Sequence, residues 1–271
     1  MNIKTFFEAL FFLISVVFAG GAVPVFAASD IANSSNWAGY AATGGNFTTV
    51  AGTWTVPAVN NAARGSADTV WVGIGGVKTD DLIQAGTQAT TDSSGRTTYV
   101  AWYEMLPQSV TAVPISVGAG DSVTVSLVRQ PGSQWLISFK DNTTGTAYQN
   151  TFTYGSTLSS AEWVVEAPSS RQGVISLDNF GAVQFGNCYA VKDGNTLTIS
   201  QLGAGSITML NGNKLALAVP SSLVGGGSGF SVSRTSAVST PNSRSSARLA
   251  YGNRGRGNSR RFFGDFYWFS R

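Results

Sequence analysis

The side chains of this chain that could carry acid–base chemistry are carboxyl groups, because its 271 residues include no histidine. Without imidazole there can be no Ser-His-Asp or Cys-His nucleophile and none of the usual zinc sites. Protons must then be moved by groups whose ordinary pKa is about 4. If the chain is an enzyme, this composition predicts that it works in acid.

Three short segments hold the candidate residues. They are 81–86 (DLIQAG) with Gln84, 101–107 (AWYEMLP) with Glu104, and 161–168 (AEWVVEAP) with Glu166. The last segment also contains Glu162, four residues before Glu166. In a strand the two carboxyls would share a face but lie about 13 Å apart, which favours a structural role for Glu162 rather than proton sharing.

The elements that carry these segments are predicted to be strands. The chain is 43% hydrophobic and only 11% charged, and its body is rich in Gly, Ser, Thr and Val. Short β-like runs such as 69–74 and 122–127 alternate with turns such as 92–95 and 193–195. We therefore predict an all-β fold over residues 29–235, an antiparallel two-sheet β-sandwich of the concanavalin A-like or jelly-roll kind.

Six segments in a fixed order give the chain a family resemblance. The three segments above follow 35–39 (SNWAG), 54–57 (WTVP) and 71–76 (WVGIGG). In this order they resemble the glutamic peptidases, also called eqolisins or peptidase family G1. The resemblance covers residues 34–235 and implies a sandwich of two bent antiparallel sheets with the active site in the concave face.

The resemblance also implies roles for individual residues. The catalytic glutamine and glutamate of the family fall on Gln84 and Glu166, and a tryptophan and glutamate that help form the substrate cleft fall on Trp102 and Glu104. Trp37 and Trp71 could line the same cleft, and core packing is the alternative for all three tryptophans. Gly75 and Val100 stand where family members often carry aspartate, so two acidic cleft groups are missing.

The implied chemistry is hydrolysis of a peptide bond. Glu166 as a carboxylate would take a proton from water and return it to the leaving amine. The Gln84 amide would donate a hydrogen bond to the oxyanion, since an amide remains a donor at any acid pH. This scheme needs no metal and no other cofactor, and its substrates are polypeptides.

Two other functions fit a secreted sandwich. A retaining glycosidase would need two carboxyls about 5–5.5 Å apart, for which Glu104 and Glu166 are the candidates. A carbohydrate-binding module would stack sugars on exposed Trp37 and Trp102. Gln84 separates these functions from a peptidase, because neither of them needs it.

The two ends of the chain differ from its body. Residues 1–28 are typical of a signal peptide, with a retained N-terminal anchor as the alternative, and we expect a secreted protein without stable membrane insertion. Residues 236–271 hold seven Arg and one acid, which predicts a basic, aromatic-ended, disordered tail. This tail is either a dispensable extension or altered reading frame, or a segment that adsorbs to anionic surfaces.

The body carries 9 basic and 12 acidic residues, which argues against a nucleic-acid partner. We expect a monomer, in which the lone Cys188 is a packed thiol.

Overall fold

A computed structural model describes residues 33–60, 63–170 and 172–239. These residues form strands and one short 3-10 helix at Gly225–Gly227, which confirms the predicted all-β class. In chain order the strands are β1 (Asn33–Ser34), β2 (Trp37–Thr43), β3 (Phe47–Thr55), β4 (Ser66–Gly75), β5 (Leu82–Thr91), β6 (Thr97–Met105), β7 (Thr111–Ala112), β8 (Ser122–Arg129), β9 (Gln134–Asp141), β10 (Ala147–Thr153), β11 (Ser160–Glu166), β12 (Ser169–Ser170), β13 (Gly173–Val174), β14 (Ser176–Leu177), β15 (Ala182–Lys192), β16 (Asn195–Thr198), β17 (Gly205–Leu210), β18 (Leu215–Pro220) and β19 (Phe230–Ser239).

The strands build two layers that we call the front sheet and the back sheet. The front sheet has the order β17-β2-β11-β4-β5-β6-β7, and the back sheet has the order β10-β9-β8-β3-β15-β19-β18-β17. Strand β17 belongs to both, because its first residues pair with β2 and its last with β18. Nearly all neighbours are antiparallel; the short β1 and β14 pair in parallel with β17 and β4.

The main core lies between the sheets and is filled by alternate residues of both. The back sheet contributes Trp54 and Trp135, and the front sheet contributes Trp163, whose indole N–H donates to the Ala51 carbonyl at 2.8 Å. Cys188 is fully buried in this core as a free thiol, as predicted, and burial raises its pKa above the ordinary thiol value. The sandwich is thus held by apolar burial without a disulfide.

A second, smaller apolar cluster covers the opposite face of the front sheet. It consists of Trp71, Leu82, Trp102 and Val164, with Trp37, Leu106 and Val110 packed against it from partly exposed positions. As a result every residue of β4 and β11 is buried, whichever face it points to. This second cluster surrounds the candidate site.

The predicted signal peptide, residues 1–28, lies outside the described residues, and so does the tail from residue 240 onward. The last strand, β19, runs to Ser239, so its final residues overlap the start of the segment that we assigned to the tail. Among the described residues no helix is long and apolar enough to span a membrane.

Candidate active site

The register of four neighbouring strands places the predicted residues on one face of the front sheet. Directly paired residues of antiparallel strands project to the same side. One row across the face contains Glu162, Gly73, Gln84 and Glu104; the next contains Val164, Trp71, Gly86 and Trp102; the third contains Trp37, Glu166, Thr69 and Gln88. The structure therefore brings Gln84, Glu104, Glu166 and the three tryptophans together on one surface.

Glu166 is held by nitrogen donors. Asn36 Nδ2 donates to its Oε1 at 2.9 Å, and Trp71 Nε1 donates to its Oε2 at 2.8 Å. The carboxyl is 8% exposed. Burial raises the pKa of Glu166 to about 8, against the lowering effect of the hydrogen bonds from Trp71, Trp37 and Asn36. The hydrogen-bond set suits a carboxylate, which only accepts, while burial favours the neutral acid.

Gln84 is held by Glu104 on the adjacent strand. Its Nε2 donates to Glu104 Oε2 at 2.7 Å, and both side chains are buried. Burial raises the pKa of Glu104 to about 7, and the hydrogen bond from Gln84 partly offsets this rise. An amide nitrogen has two hydrogens, so Gln84 keeps a second N–H for another acceptor.

Gln84 and Glu166 lie two strands and four residues apart in the register. On a flat sheet their Cα atoms would be separated by about 10 Å across the strands and about 13 Å along them. Nevertheless the charge of Glu104, one strand farther away, raises the pKa of Glu166. The two carboxyls therefore influence each other electrostatically across this face.

Two glycines form the floor between the functional groups. A Cβ on Gly86 would lie 2.1 Å from the Val70 carbonyl oxygen and 2.6 Å from Trp71 Cβ. A Cβ on Gly73 would lie 2.8 Å from Trp71 Cζ3. The absence of both side chains lets the Trp71 indole lie against the sheet, with its N–H reaching Glu166.

The structure shows the three tryptophans packed in or against the second apolar cluster. Trp71 and Trp102 are fully buried in the second apolar cluster, and Trp71 also donates to Glu166. Trp37 packs edge-on against Trp71 with ring centroids 5.0 Å apart and is partly exposed. Packing thus fixes Trp71 and Trp102, while Trp37 is the one that presents surface to the solvent.

Sequence reasoning missed Asn36 as a site residue. It lies in the SNWAG segment that contributed to the family resemblance, but an asparagine before a strand is ordinarily a turn residue. Only the antiparallel pairing of β2 with β11, which sets Trp37 opposite Glu166, brings Asn36 to the carboxyl.

Gly75, at one of the positions where an acidic group was expected, adopts a backbone conformation that disfavours a side chain. Its φ is +93°, and a Cβ there would lie 2.3 Å from the Asp81 carbonyl oxygen. The Asp81 carboxyl lies 3.1 Å from the same point. It accepts hydrogen bonds from Ser156 and Thr157. Burial acts to raise the pKa of Asp81, but the interactions with Thr79, Thr157 and Ser156 outweigh it, so the pKa is lowered.

Comparisons with known proteins identify the family of the chain. The model of the Peptidase A4 family matches residues 35–234. The chain is 30% identical to Aspergillopepsin-2 of Aspergillus niger over 60% of this chain and 67% of that protein, and 29% identical to Scytalidopepsin B of Scytalidium lignicola over 64% and 69%. The crystal structure of scytalido-glutamic peptidase with a peptide-based transition state analog superposes with a TM-score of 0.64 at 26% identity, covering 74% of this chain and 98% of that one.

These findings decide between the functions that the sequence left open. A sandwich alone would fit a glycosidase or a carbohydrate-binding module, since fold does not determine function. The family match spans the whole described body, and polypeptides are its substrates. The chain belongs to the Peptidase A4 family and is a glutamic-type endopeptidase.

Proposed function

We propose that Glu166 is the general base and Gln84 the oxyanion donor of this endopeptidase. The observation that carries the proposal is that both side chains are buried on one face of the front sheet, each oriented by a specific hydrogen bond. A water above the face would give its proton to Glu166 as it attacks the peptide carbonyl. Glu166 would then return that proton to the leaving amine.

The second N–H of Gln84 supplies the hydrogen bond to the oxyanion. Such a donor acts best when it is fixed before the reaction, because no reorganisation is then needed in the transition state. The 2.7 Å bond from Gln84 to Glu104 contributes to this fixation by holding one end of the amide. Glu104 itself stays neutral below a pKa of about 7, so it adds no negative charge beside the developing oxyanion.

The working pH follows from the two carboxyls. Base catalysis requires Glu166 to be ionised, and its raised pKa moves the rising limb of activity above the ordinary carboxyl value of about 4. Loss of the proton from Glu104 would lower activity on the alkaline side. We therefore propose an optimum at a higher pH than the composition alone predicts.

The test is digestion of a denatured protein, and of a fluorogenic peptide, across pH 3–8. Glu166→Gln and Gln84→Ala are each expected to lower kcat by at least about 10²-fold. Gln88→Ala is a matched control for Gln84, because it is a buried glutamine on the same strand whose amide bonds Thr90 instead. Full activity in either of the first two variants would refute the assigned roles.

We also propose that the enzyme is exported and acts as a monomer. The export proposal rests on the signal-like residues 1–28. Amino-terminal sequencing of the protein from the culture medium should begin just after Ala27 or Ala28, and light scattering should give the mass of one chain. Retention of residues 1–28 in the cell-associated protein would instead indicate an anchor.

A further inference from the structure

Glu162 is a buried carboxyl for which the catalytic scheme has no use. It lies on β11, is 0% exposed, and neither of its carboxyl oxygens has a hydrogen-bond partner of good geometry in the described part of the chain. A buried polar group without a partner costs about 1–3 kcal/mol of stability. We therefore expect Glu162 to have a role other than apolar packing.

The strand register places Glu162 near Gln84. Both belong to the first row of the face, with only Gly73 between them. The Glu162 Oε2 atom lies 3.3 Å from the point where a Cβ of Gly73 would be. Gly73 is directly paired with Gln84, and such pairs have Cα atoms about 4.5–5.5 Å apart. Trp71 Cζ3 and Leu82 Cδ1 lie 2.8 and 3.0 Å from the same point, so the Glu162 carboxyl shares the space above Gly73 with them, one strand away from Gln84.

Gln84 needs a second partner for a chemical reason. Its Oε1 atom is buried and has no partner among the described groups. At acid pH Glu104 is a neutral acid, which has both a donor and an acceptor. It can therefore bind either end of the Gln84 amide, and it does not by itself keep the N–H group, rather than the C=O group, turned to the oxyanion.

We propose that Glu162, as a neutral carboxylic acid, donates a hydrogen bond across Gly73 to Gln84 Oε1, directly or through one bound water, and so fixes the orientation of the catalytic amide. Glu162 is in this sense a positioning residue. The inference rests on the proposed role of Gln84 as oxyanion donor and extends it to a third strand.

The surroundings of Glu162 favour the protonated form that this role requires. Burial raises its pKa well above the ordinary value; an interaction with the Ser160 hydroxyl partly offsets this rise, and the negative charge of Asp81 adds to it. Its flanking neighbours across β2 and β4 are Ala41 and Gly73, which carry no charge. In the described part of the chain the one ion pair is Arg96–Asp92, so no cation is paired with Glu162.

The test compares two substitutions of Glu162. Glu162→Gln keeps a neutral donor of the same shape and should hold kcat within about threefold. Glu162→Met keeps the length but removes the donor, and should lower kcat about 10–100-fold with KM nearly unchanged, less than the full loss of an oxyanion donor. Because Met removes an unpaired buried polar group, the unfolding temperature should stay the same or rise.

A double-mutant cycle separates positioning from a general structural effect. In a Gln84→Ala background, Glu162→Met should change the residual kcat by less than about twofold, because the amide that it positions is gone. Asp68→Asn is the control, since Asp68 is an equally buried carboxyl that also lacks partners in the described residues, on the other face of the sheet; it should leave kcat unchanged.

The outcomes distinguish this inference from the proposed function. If wild type is active, Gln84→Ala is inactive and Glu162→Met keeps full kcat, the positioning role is wrong and the role of Gln84 stands. If Glu162→Met lowers kcat by the same factor with and without Gln84, or lowers it together with the unfolding temperature, the effect is structural and the inference fails. Full activity of Gln84→Ala would overturn both.

Discussion

Two long hairpins of this molecule, β8–β9 in the back sheet and β4–β5 in the front sheet, differ in how their residues are buried. In β8 buried Val123, Val125 and Leu127 alternate with residues that reach the solvent. In β4 every residue is buried, and in β5 nearly every residue is. Both hairpins give one face to the main core, but only the front hairpin covers its other face with the second apolar cluster.

The difference explains where chemistry is possible. On the back hairpin, polar side chains meet water and keep ordinary properties. On the front hairpin and its neighbours, carboxyls are enclosed with tryptophans, so their ionisation depends on a few hydrogen bonds rather than on solvent. Glu166 and Glu104, with pKa values raised to about 8 and 7, show the result.

The largest difference in stability between the two sheets should come from replacing a glycine with alanine. Gly86→Ala places a methyl group 2.1 Å from a backbone oxygen, whereas the same change at Gly186 on β15 meets nothing within 4 Å. Gly86→Ala should destabilise the protein by more than about 3 kcal/mol, and Gly186→Ala by less than about 0.5 kcal/mol. Urea unfolding of both variants measures these changes. Equal stabilities would show that the front sheet can shift to make room for the added methyl group.

The next effect is the pH dependence of stability. Burial raises the folded-state pKa of Glu104, Glu166, Glu162, Asp68 and Asp178, so the folded protein holds protons that the unfolded chain releases near pH 4. Their contribution is fully present below pH 4, and the part that comes from Glu104 and Glu166 is lost as the pH rises through 7–8. The free energy of unfolding should fall by several kcal/mol between pH 3.5 and pH 7.5.

Urea unfolding at pH 3.5, 5.5 and 7.5 measures this fall. The Asp68→Asn variant should reduce it, because it removes one of the buried protons. The lowered pKa of the partly exposed Asp81 works in the opposite direction. A stability that is flat or that increases with pH would mean that the front-sheet carboxyls are not enclosed as described.

The smallest effect is expected on the solvent side of the back sheet. Ser126 and Ser138 face each other across β8 and β9, where both are partly exposed. Replacing both with Thr should change the free energy of unfolding by less than about 0.5 kcal/mol and leave kcat/KM unchanged. A loss of activity in this variant would connect the back sheet to the site in a way that the contacts do not show.

The strands and the face of the main site residues could be predicted from sequence, and the reasons are local. Alternating residues mark strands such as β8, and the ordered segments placed Gln84, Glu104 and Glu166 together. The hydrogen bonds from Asn36 and Trp71 to Glu166 could not be predicted. They depend on which strand pairs with which over separations of more than 90 residues, and no local pattern encodes that pairing.

The pKa values of the site carboxyls also could not be predicted from the sequence, for a different reason. Composition shows that carboxyls must do the chemistry, and it gives them ordinary pKa values. The structure shows that β11, β4 and β5 are enclosed on both sides. Enclosure, which depends on the whole fold, moves the pKa values of Glu104 and Glu166 above the ordinary value.

The burial of Cys188 has a practical consequence for handling the enzyme. The chain has one cysteine, and its thiol lies in the main core with a raised pKa, so it is neither ionised nor accessible to oxidants. The described body therefore needs no oxidising compartment and no disulfide isomerase to mature. It should fold as well in a reducing bacterial cytoplasm as outside the cell, and reducing agents or thiol reagents should leave its proteolysis unchanged.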